Sequence, residues 1–206
     1  MTERNNQLII IGAGSLGVMT LDAALEMDCY EKISFVDDNK NRNEIIHGHQ
    51  VIGGMDVLKD LDENWDYIIS IANNKVRKKI SENFRLNYVN IIHPNVAISR
   101  FSEIGIGNII LPNTSIDPET IIKNHVILNK NNSLGHNVTM NNYAQASPGC
   151  NLGGIIDEGT FIGLGANILP EMKIGSWSTI GAGAVVTKDV PNNVTAVGVP
   201  AKIIKE

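Results

Sequence analysis

Three features of the 206-residue sequence predict two unlike domains, a small α/β domain followed by a parallel β-helix. Short apolar runs alternate with helical patterns up to residue 90, and a repeat of six residues then continues to about residue 190. All seven prolines and 13 of the 19 glycines lie after residue 90, so the composition changes at the same point. We therefore assign one domain to residues 1–90 and a second to residues 91–206.

The first 90 residues alternate strand and helix patterns. The segment "QLIIIGAGSLG" predicts a strand that ends in a glycine turn, "VMTLDAALEM" predicts a helix, and "KISFVDD" predicts a second strand. A further helix is predicted for "NKVRKKISENF", between strands predicted for "DYIISIAN" and "NYVNII". This order predicts a small Rossmann-like βαβαβ sheet with parallel strands.

A glycine motif follows the first predicted strand. Gly12, Gly14 and Gly17 form GxGxxG before a helix, and Asp37 and Asp38 end the next strand about 20 residues further on. Such a turn lets backbone amides approach a phosphate, and the acid binds a ribose hydroxyl. We expect a nucleotide but no redox cofactor, because the second half of a dehydrogenase sheet is missing. The alternative is a glycine turn that serves helix packing only.

A six-residue repeat occupies the second domain. This period cannot stay in phase with the 3.6 residues per turn of a helix, so the pattern excludes a helical stripe. Three corners make one triangular coil of about 18 residues, and the span accommodates about five coils of a parallel β-helix. The apolar positions are Ile92, Ile98, Ile104, Ile110, Ile116, Ile122, Leu128, Leu134, Met140, Ala146 and Leu152, and then, after a slip to a four-residue interval, Ile156, Ile162, Ile168, Ile174, Ile180 and Val186.

Composition and charge exclude several classes of protein. The net charge of −5 argues against nucleic-acid binding. No window reaches the roughly 18 to 20 apolar residues of a membrane span, so we expect no membrane association and a cytoplasmic location. Cys29 and Cys150 lack the spacing of a disulfide framework or a metal site, and we interpret them as buried thiols without metal chemistry. The basic cluster is interpreted as a solvated helix face and comprises Lys75, Arg77, Lys78 and Lys79.

Motifs along nearly the whole chain resemble a known enzyme family. The period-six pattern, the N-terminal "LIIIGAGSLG" and the closing "IGAGAVVTKDVPNNVTAVGVPAKII" look like those of the NeuD-type sugar acetyltransferases, which include sialic acid O-acetyltransferases and the N-acetyltransferase of bacillosamine synthesis. The resemblance implies a left-handed β-helix and a homotrimer. It also implies that acetyl-CoA binds between neighbouring helices, and that the first domain holds a nucleotide-linked amino sugar for surface glycan synthesis.

The resemblance places a catalytic base at His136, within "LGHN". A neutral imidazole there removes a proton from the acceptor as it attacks the thioester carbonyl, and the alternative is a histidine merely exposed at a coil corner. Asn137 stands where relatives carry an acid, so the supporting negative charge is missing. Gly154, where the repeat slips, is predicted to polarise the thioester carbonyl through its amide, although the slip could itself require glycine.

The other histidines receive lesser roles. His125 lies in the repeat between asparagine and valine, and we interpret it as structural. His47 and His49 are predicted in a polar loop, where they could touch substrate. His93 precedes a proline and is predicted to be a junction residue.

The resemblance also assigns contacts to the two substrates. Leu16 replaces a polar residue that many relatives carry in the glycine turn, and Gln145 replaces a second histidine that many carry nine residues after the base. The residues assigned to the nucleotide-linked sugar are Gly12, Gly14, Ser15, Leu16, Gly17, Asp37 and Asp38. Those assigned to acetyl-CoA are Gln145, Gly154, Ala166, Ala184 and Lys202.

Four functions are compatible with these observations. N-acetylation of a nucleotide-linked amino sugar is favoured by GxGxxG, His136 and the C-terminal run, and O-acetylation of sialic acid or a similar sugar is the second possibility. The third is a sugar-nucleotide-binding protein of little catalytic activity, made credible by Asn137, Leu16 and Gln145. The fourth is a small oxidoreductase, which a failure to bind NAD would exclude.

Overall fold

A computed structural model describes residues 6–61 and 64–205 and has the two predicted architectures in chain order. The N-terminal domain is a five-stranded sheet with two helices. Its elements are β1 (Gln7–Ile11), α1 (Ser15–Glu26), β2 (Lys32–Val36), β3 (Ile45–Ile46), β4 (His49–Gly53), a 3₁₀ helix (Met55–Lys59), β5 (Asp66–Ile69) and α2 (Asn74–Asn83).

The central strand β1 is buried on both faces of this sheet. The strand order is β3-β4-β2-β1-β5, and β1 pairs in parallel with both β2 and β5. Ile9, Ile10 and Ile11 are all 0% exposed, which explains the uninterrupted apolar run of β1. Because β2 and β5 flank β1 on opposite sides, the direction of winding reverses at β1, and such a reversal leaves a crevice at the carboxyl ends of the strands.

Two parts of this domain differ from the sequence prediction. The strand predicted for "NYVNII" is divided, because Tyr88 makes only an isolated bridge to Tyr67 whereas Ile91–Ile92 pairs with a strand of the second domain. The polar loop predicted around His47 and His49 is instead the hairpin of β3 and β4. His47 lies in its turn with φ 47°, and His49 Nδ1 lies 3.0 Å from the carbonyl oxygen of Ile33.

The second domain is a β-helix with three faces of parallel strands. Face one contains Ile91–Ile92, Ile109–Ile110, Ile127–Leu128, Gln145–Ala146, Phe161–Ile162, Thr179–Ile180 and Thr195–Val197, with Lys202–Lys205 antiparallel at its edge. Face two contains Ala97–Ile98, Ser115–Ile116, Ser133–Leu134, Asn151–Leu152, Asn167–Ile168 and Val185–Val186. Face three contains Glu103–Ile104, Ile121–Ile122, Thr139–Met140, Ile155–Ile156 and Lys173–Ile174.

The coil length explains both the repeat and its interruption. Ile127 pairs with Ile109 and Gln145 pairs with Ile127, which gives coils of 18 residues. The next coil has 16 residues, because Gln145 pairs with Phe161, and this confirms the slip predicted between Leu152 and Ile156. A second short coil, where Ile174 bridges to Val190, was not predicted. In the described part of the chain, face one holds seven parallel strands, so the coils number six rather than five.

The inward side chains of the repeat form one continuous core. The apolar residue of each hexad from Ile110 onward is at most 4% exposed, so the period-six pattern is the inner surface of the β-helix. Cys150 is 0% exposed, and burial raises the pKa of its thiol, whereas Cys29 is only partly buried, contrary to the prediction. None of the helices in the described segments is long and apolar enough to span a membrane.

Helix α2 connects the two domains through a buried arginine. Arg77 is 0% exposed, and its guanidinium donates to the carbonyl oxygens of His125 at 2.9 Å and Tyr143 at 2.8 Å, both on the β-helix. It also donates to the carbonyl oxygen of Ile71 at 2.8 Å in its own domain. Burial lowers the pKa of the guanidinium to about 9, so it remains charged at neutral pH.

The basic cluster is therefore not simply a solvated helix face, as its sequence suggested. Only Lys75 and Lys79 are exposed, while Lys78 pairs with Glu158 of the β-helix. Ser81 on the next turn contacts the hydroxyl of Tyr143 at 2.9 Å. One side of α2 thus packs against the second domain, and sequence periodicity alone could not predict this contact.

Candidate active site

A cavity of about 680 Å³ opens at the carboxyl ends of β1, β2 and β5. Its walls come from the glycine turn, the end of β2 and one side of α2. Six of the seven residues assigned to the sugar line it, namely Gly12, Gly14, Ser15, Leu16, Asp37 and Asp38. The volume lies within the roughly 300–1,000 Å³ typical of small-molecule sites.

The three glycines of the turn have different structural roles. Gly12 has φ +105°, and a Cβ there would lie 2.7 Å from the carbonyl oxygen of Ser70. A Cβ on Gly17 would lie 2.1 Å from the carbonyl oxygen of Gly12, so this glycine lets α1 pack against the strand. Gly14 precedes α1 and a Cβ there would meet nothing within 4 Å. The packing interpretation of the motif therefore applies at Gly17, and binding of a ligand beside Gly14 stays a prediction.

The two aspartates at the end of β2 hold the walls of the cavity together. Asp37 accepts hydrogen bonds from the amide of Ala13 at 2.7 Å and from that of Asn39 at 2.8 Å. Asp38 accepts one from the amide of Met55 at 2.7 Å. These carboxylates fix the glycine turn and the start of the 3₁₀ helix, and their binding of a ribose remains a prediction.

His136 lies at a corner between faces two and three, directly beside the shortened corner of the next coil. The two corners are aligned because the amide of Gly135 donates to the carbonyl oxygen of Leu152 at 3.1 Å and the amide of Thr139 donates to that of Gly154 at 3.0 Å. His136 is exposed to solvent. The structure thus brings the predicted base and the predicted amide to the same edge of the β-helix.

Asn137 contacts the imidazole of His136. Its Nδ2 lies 2.9 Å from Nδ1 of His136, so the amide donates to Nδ1 and the ring proton resides on Nε2. Rotation of the amide by 180° places Oδ1 at the same point, where it accepts from a protonated Nδ1 and leaves Nε2 unprotonated. Only the second arrangement gives a base at Nε2.

Glycine is sterically required at the shortened corner. Gly154 has φ +66°, and a Cβ there would lie 2.0 Å from the carbonyl oxygen of Met172. A Cβ on Gly153 would lie 2.7 Å from the carbonyl carbon of Leu169. The slip of the repeat therefore itself requires glycine at Gly154, which was the structural alternative to a catalytic role. Within residues 6–61 and 64–205, its N–H has no backbone acceptor and remains available to a ligand.

His125 lies in a different environment, beneath α2. It is 5% exposed, stacks on Tyr143 with ring centroids 5.4 Å apart, and meets Tyr88 edge to face at 4.8 Å. Burial, and to a lesser extent the Arg77 guanidinium, lowers the pKa of its imidazole to about 4. This neutral, enclosed ring supports the structural role expected for His125. His93, also largely buried, accepts a hydrogen bond from the amide of Asn95 at 3.0 Å in the first coil.

Comparisons with known proteins agree with this geometry. Residues 7–84 match the family model of the PglD N-terminal domain. The chain is 33% identical over 211 residues to a GDP-perosamine N-acetyltransferase of Escherichia coli O157:H7, with 95% of each chain covered. It belongs to the hexapeptide-repeat sugar acetyltransferases.

Solved structures of sugar acetyltransferases have the same fold. The acetyltransferase domain of PglB from Neisseria gonorrhoeae FA1090, in complex with acetyl coenzyme A, superposes with a TM-score of 0.92 at 30% identity, covering 97% of this chain and all of that one. PerB from Caulobacter crescentus, in complex with CoA and GDP-perosamine, gives 0.88 at 27% identity, covering 96% and 97%. Both likenesses extend over the two domains together.

In this sugar acetyltransferase, several residues assigned to acetyl-CoA are not accessible. Ala166 and Ala184 are 0% exposed and pack in the core of the β-helix, so neither side chain can touch the co-substrate in this chain. The accessible residues at the same corners are their neighbours Gly165 and Gly183, where a Cβ would meet nothing within 4 Å. Binding of acetyl-CoA at these corners stays a prediction, but the two residues chosen from the sequence point inward, because alanine and glycine both fit the repeat.

The remaining two assignments to acetyl-CoA lie apart from the His136 corner. Gln145 is 8% exposed on face one, whereas the His136 corner joins faces two and three. Lys202 is exposed on the C-terminal antiparallel strand. Two residues that were not predicted as site residues, Ser70 and Lys79, line the cavity of the N-terminal domain. Their positions at the end of β5 and on α2 were the available signal, since strand ends of such sheets bind ligands.

Proposed function

We propose that this protein transfers the acetyl group of acetyl-CoA to the amine of a nucleotide-linked amino sugar. The observation that carries the proposal is the alignment of the His136 corner with the Gly153–Gly154 corner. This alignment supports the proposal because acyl transfer requires a base close to an amide donor, and His136 and Gly154 lie at the same edge of the β-helix. The names of relatives, a GDP-perosamine N-acetyltransferase and a structure holding CoA and GDP-perosamine, support an amino sugar as acceptor.

In this mechanism His136 removes the proton from the acceptor amine. This role uses the rotated amide of Asn137, whose Oδ1 accepts from Nδ1 of His136 in place of the Nδ2 contact, so that Nε2 carries the lone pair that takes this proton. The nitrogen–carbon bond forms as the carbon–sulfur bond of the thioester breaks. The imidazolium then returns the proton to the departing thiolate, which leaves as CoA thiol.

The amide of Gly154 is assigned to the thioester oxygen. Charge develops on this oxygen as the amine attacks, and a fixed N–H lowers the energy of that state. The left-handed backbone of Gly154 sets the direction of this N–H before substrate arrives. Acetyl-CoA supplies the activated acetyl group, and the accessible corner at Gly165 and Gly183, which joins faces one and two, is proposed to hold its pantetheine arm.

Asn137 favours an amine over a hydroxyl as acceptor. It contributes no negative charge to stabilise the imidazolium of His136. A neutral amine attacks readily and can lose its proton late, so it demands less from the base than a hydroxyl does. In the serine protease triad, the change from Asp to Asn beside the histidine costs about 10⁴-fold, which indicates the importance of this partner for hydroxyl nucleophiles.

The nucleotide portion of the acceptor is assigned to the N-terminal cavity. The free N–H groups at the start of α1 suit a diphosphate, and Gly14 leaves room for it. Lys79 lines the same cavity and adds a positive charge. The expected cytoplasmic location remains a prediction, in keeping with a reaction that uses acetyl-CoA.

A homotrimer with its active sites between subunits completes the proposal. His136 is open to solvent in the single chain, whereas acyl transfer is favoured where water is excluded. Large apolar side chains are exposed on the β-helix at Ile106, Leu164 and Leu169. Packing against a neighbouring copy would bury them and enclose the histidine.

The test is release of free CoA thiol from acetyl-CoA with a panel of acceptors. UDP-linked and GDP-linked 4-amino sugars are compared with CMP-sialic acid, whose only acceptor groups are hydroxyls. We expect turnover with at least one amine and little with the hydroxyl acceptor. Asn137→Asp should raise the hydroxyl reaction more than the amine reaction, because a carboxylate favours only the productive tautomer of His136.

Faster turnover with CMP-sialic acid than with every amine would contradict N-acetylation. An absence of turnover with any acceptor, with nucleotide sugars still bound, would favour a binding protein.

A further inference from the structure

Ser70 lines the crevice where the winding of the sheet reverses. It follows β5 directly, its amide donates to the carbonyl oxygen of Ile11 at 2.7 Å, and it faces the glycine turn across the ends of β1 and β5. It is 3% exposed and lines the cavity. Ser70 is one of seven polar or charged residues among those that line the cavity.

The hydrogen bonds behind Ser70 determine the direction in which its hydroxyl points. The hydroxyl of Thr20 donates to the carbonyl oxygen of Leu16 at 2.9 Å, which can only accept. A threonine hydroxyl has a single hydrogen, so Thr20 cannot also donate to Ser70. The 2.7 Å contact between the two hydroxyl oxygens must then be a donation from Ser70 to Thr20.

This relay leaves Ser70 with acceptor capacity only. Its hydrogen is directed away from the cavity, toward Thr20, which is 0% exposed and cannot meet a ligand. Any hydrogen bond from a ligand to this hydroxyl must therefore use the remaining lone pairs of Ser70. A phosphate oxygen placed there would face lone pairs without a proton between them, which is unfavourable.

We propose that Ser70 is a specificity-determining residue that accepts a hydrogen bond from an O–H or N–H of the bound nucleotide-linked sugar. The proposal rests on the proposed function, since it takes this ligand as the occupant of the cavity. The donor belongs to the sugar or to the nucleoside, because the diphosphate has none. Thr20 is a positioning residue that acts through Ser70.

A double-mutant cycle tests the relay on the full-length protein. Dissociation constants are measured by calorimetry for UDP-linked and GDP-linked 4-amino sugars with wild type, Ser70→Ala, Thr20→Val and the double variant. We expect Ser70→Ala to weaken binding about 3- to 10-fold, the usual effect of one lost hydrogen bond. Thr20→Val should weaken it less, and should have no further effect once Ser70 is alanine.

Two controls separate recognition from damage to the fold. Thr20→Ser keeps the relay and should bind as wild type does, and the unfolding midpoint of Ser70→Ala should stay close to that of wild type. Ser70→Ala should raise the Michaelis constant for the sugar nucleotide more than it lowers the turnover number, because the residue is proposed to contact the sugar nucleotide away from the reacting atoms. Binding of UDP or GDP alone identifies the donor: an equal loss assigns it to the nucleoside, and an unchanged affinity assigns it to the sugar.

The outcomes distinguish this inference from the function on which it rests. If wild type binds no nucleotide amino sugar and releases no CoA thiol with any of them, the proposed function fails. If wild type binds such a ligand and Ser70→Ala binds it equally well, the role of Ser70 is overturned. Additive effects of Thr20→Val and Ser70→Ala would overturn the relay.

Discussion

His136 is the residue on which turnover should depend most. Replacement by alanine removes the base while leaving an exposed corner of the β-helix unchanged in backbone. We expect turnover to fall about 10²- to 10⁴-fold, the usual contribution of general acid–base catalysis, with acetyl-CoA binding retained. Steady-state release of CoA thiol measures the first effect and calorimetry the second. Near wild-type turnover would remove His136 from the mechanism.

His125 should make stability depend on pH below neutrality. Its folded-state pKa of about 4 lies below the 6.5 of an unfolded histidine, so between these values the unfolded chain binds a proton that the folded chain does not. Stability is thus fully present above pH 6.5 and is lost as the pH falls toward 4. The shift corresponds to roughly 3 kcal/mol at most.

The measurement is the urea midpoint of wild type and His125→Phe at pH 7 and pH 5. The ring of phenylalanine can still stack on Tyr143 but does not titrate. We expect the variant to lose less stability than wild type on acidification. Identical pH dependence in both proteins would show that another group is responsible.

At the residue scale, a sequence motif identified a candidate position but could not predict the orientation of side chains. "LGHN" located His136, and the structure gave it the partner Asn137. The relay from Ser70 to Thr20 was invisible, because the two residues are 50 positions apart and neither belongs to a motif. Ala166 and Ala184 fit the repeat at an inward position, which a pattern of small residues cannot distinguish from an outward one.

The shortened corner should tolerate no side chain at Gly154. Gly154 and Gly183 both have φ +66°, but a Cβ would clash with the carbonyl oxygen of Met172 only at Gly154. Gly183→Ala should cost about 1–2 kcal/mol of stability from the left-handed backbone alone. Gly154→Ala should cost about 1–3 kcal/mol more because it overpacks. Urea unfolding of the two variants without ligand compares them directly, and equal losses would contradict the clash.

Helix α2 should depend on Arg77 for its attachment to the β-helix. Arg77→Met leaves the carbonyl oxygens of His125 and Tyr143 without the donor that satisfies them. Each unsatisfied buried group costs about 1–3 kcal/mol, so we expect a loss on the order of 3 kcal/mol in urea unfolding. Lys79 lies two residues after Arg77 on the exposed side of the same helix. Lys79→Met should therefore change stability by less than about 0.5 kcal/mol. Equal effects of the two substitutions would contradict the role of Arg77 in attaching α2 to the β-helix.

At the element scale, periodicity predicted the repeated strands of the β-helix but missed one of its two interruptions and the hairpin of the N-terminal domain. The slip after Leu152 was predicted because six regular hexads follow it. The slip before Val190 was missed because only one further parallel strand, Thr195–Val197, follows it, which is too little to re-establish a period. The β3–β4 hairpin was missed because its polar residues gave no alternation of apolar and polar positions.

The whole molecule is expected to be a trimer in solution. Exposed apolar side chains such as Phe101, at 69%, and Leu164, at 60%, favour burial against another copy. Light scattering coupled to size exclusion should give about three times the 22.4 kDa of one chain. Leu164→Glu should shift this mass downward, while a substitution on the N-terminal hairpin, Gln50→Glu, should not. A monomeric wild type would contradict the shared-site proposal.

The two-domain architecture could be predicted because each domain carries its own period. How the domains pack could not, because the contacts join residues distant in sequence. Arg77 and Tyr143 are 66 positions apart, and Asn74 reaches the carbonyl oxygen of Gly159 over 85. No local sequence pattern indicates such pairs. A basic helix is therefore predicted to be solvated unless the surface packed against it is known.

The alignment of neighbouring corners lets the backbone fix the distance between the two groups that are proposed to act in the reaction. Strands in adjacent coils lie about 4.8 Å apart in any sheet, so one step of the stack separates the corner of His136 from that of Gly154. This interval is a constant of peptide geometry and does not depend on how tightly the core is filled. Substitutions in the core of the β-helix can therefore change the stability of the protein without changing the spacing between the corners of His136 and Gly154.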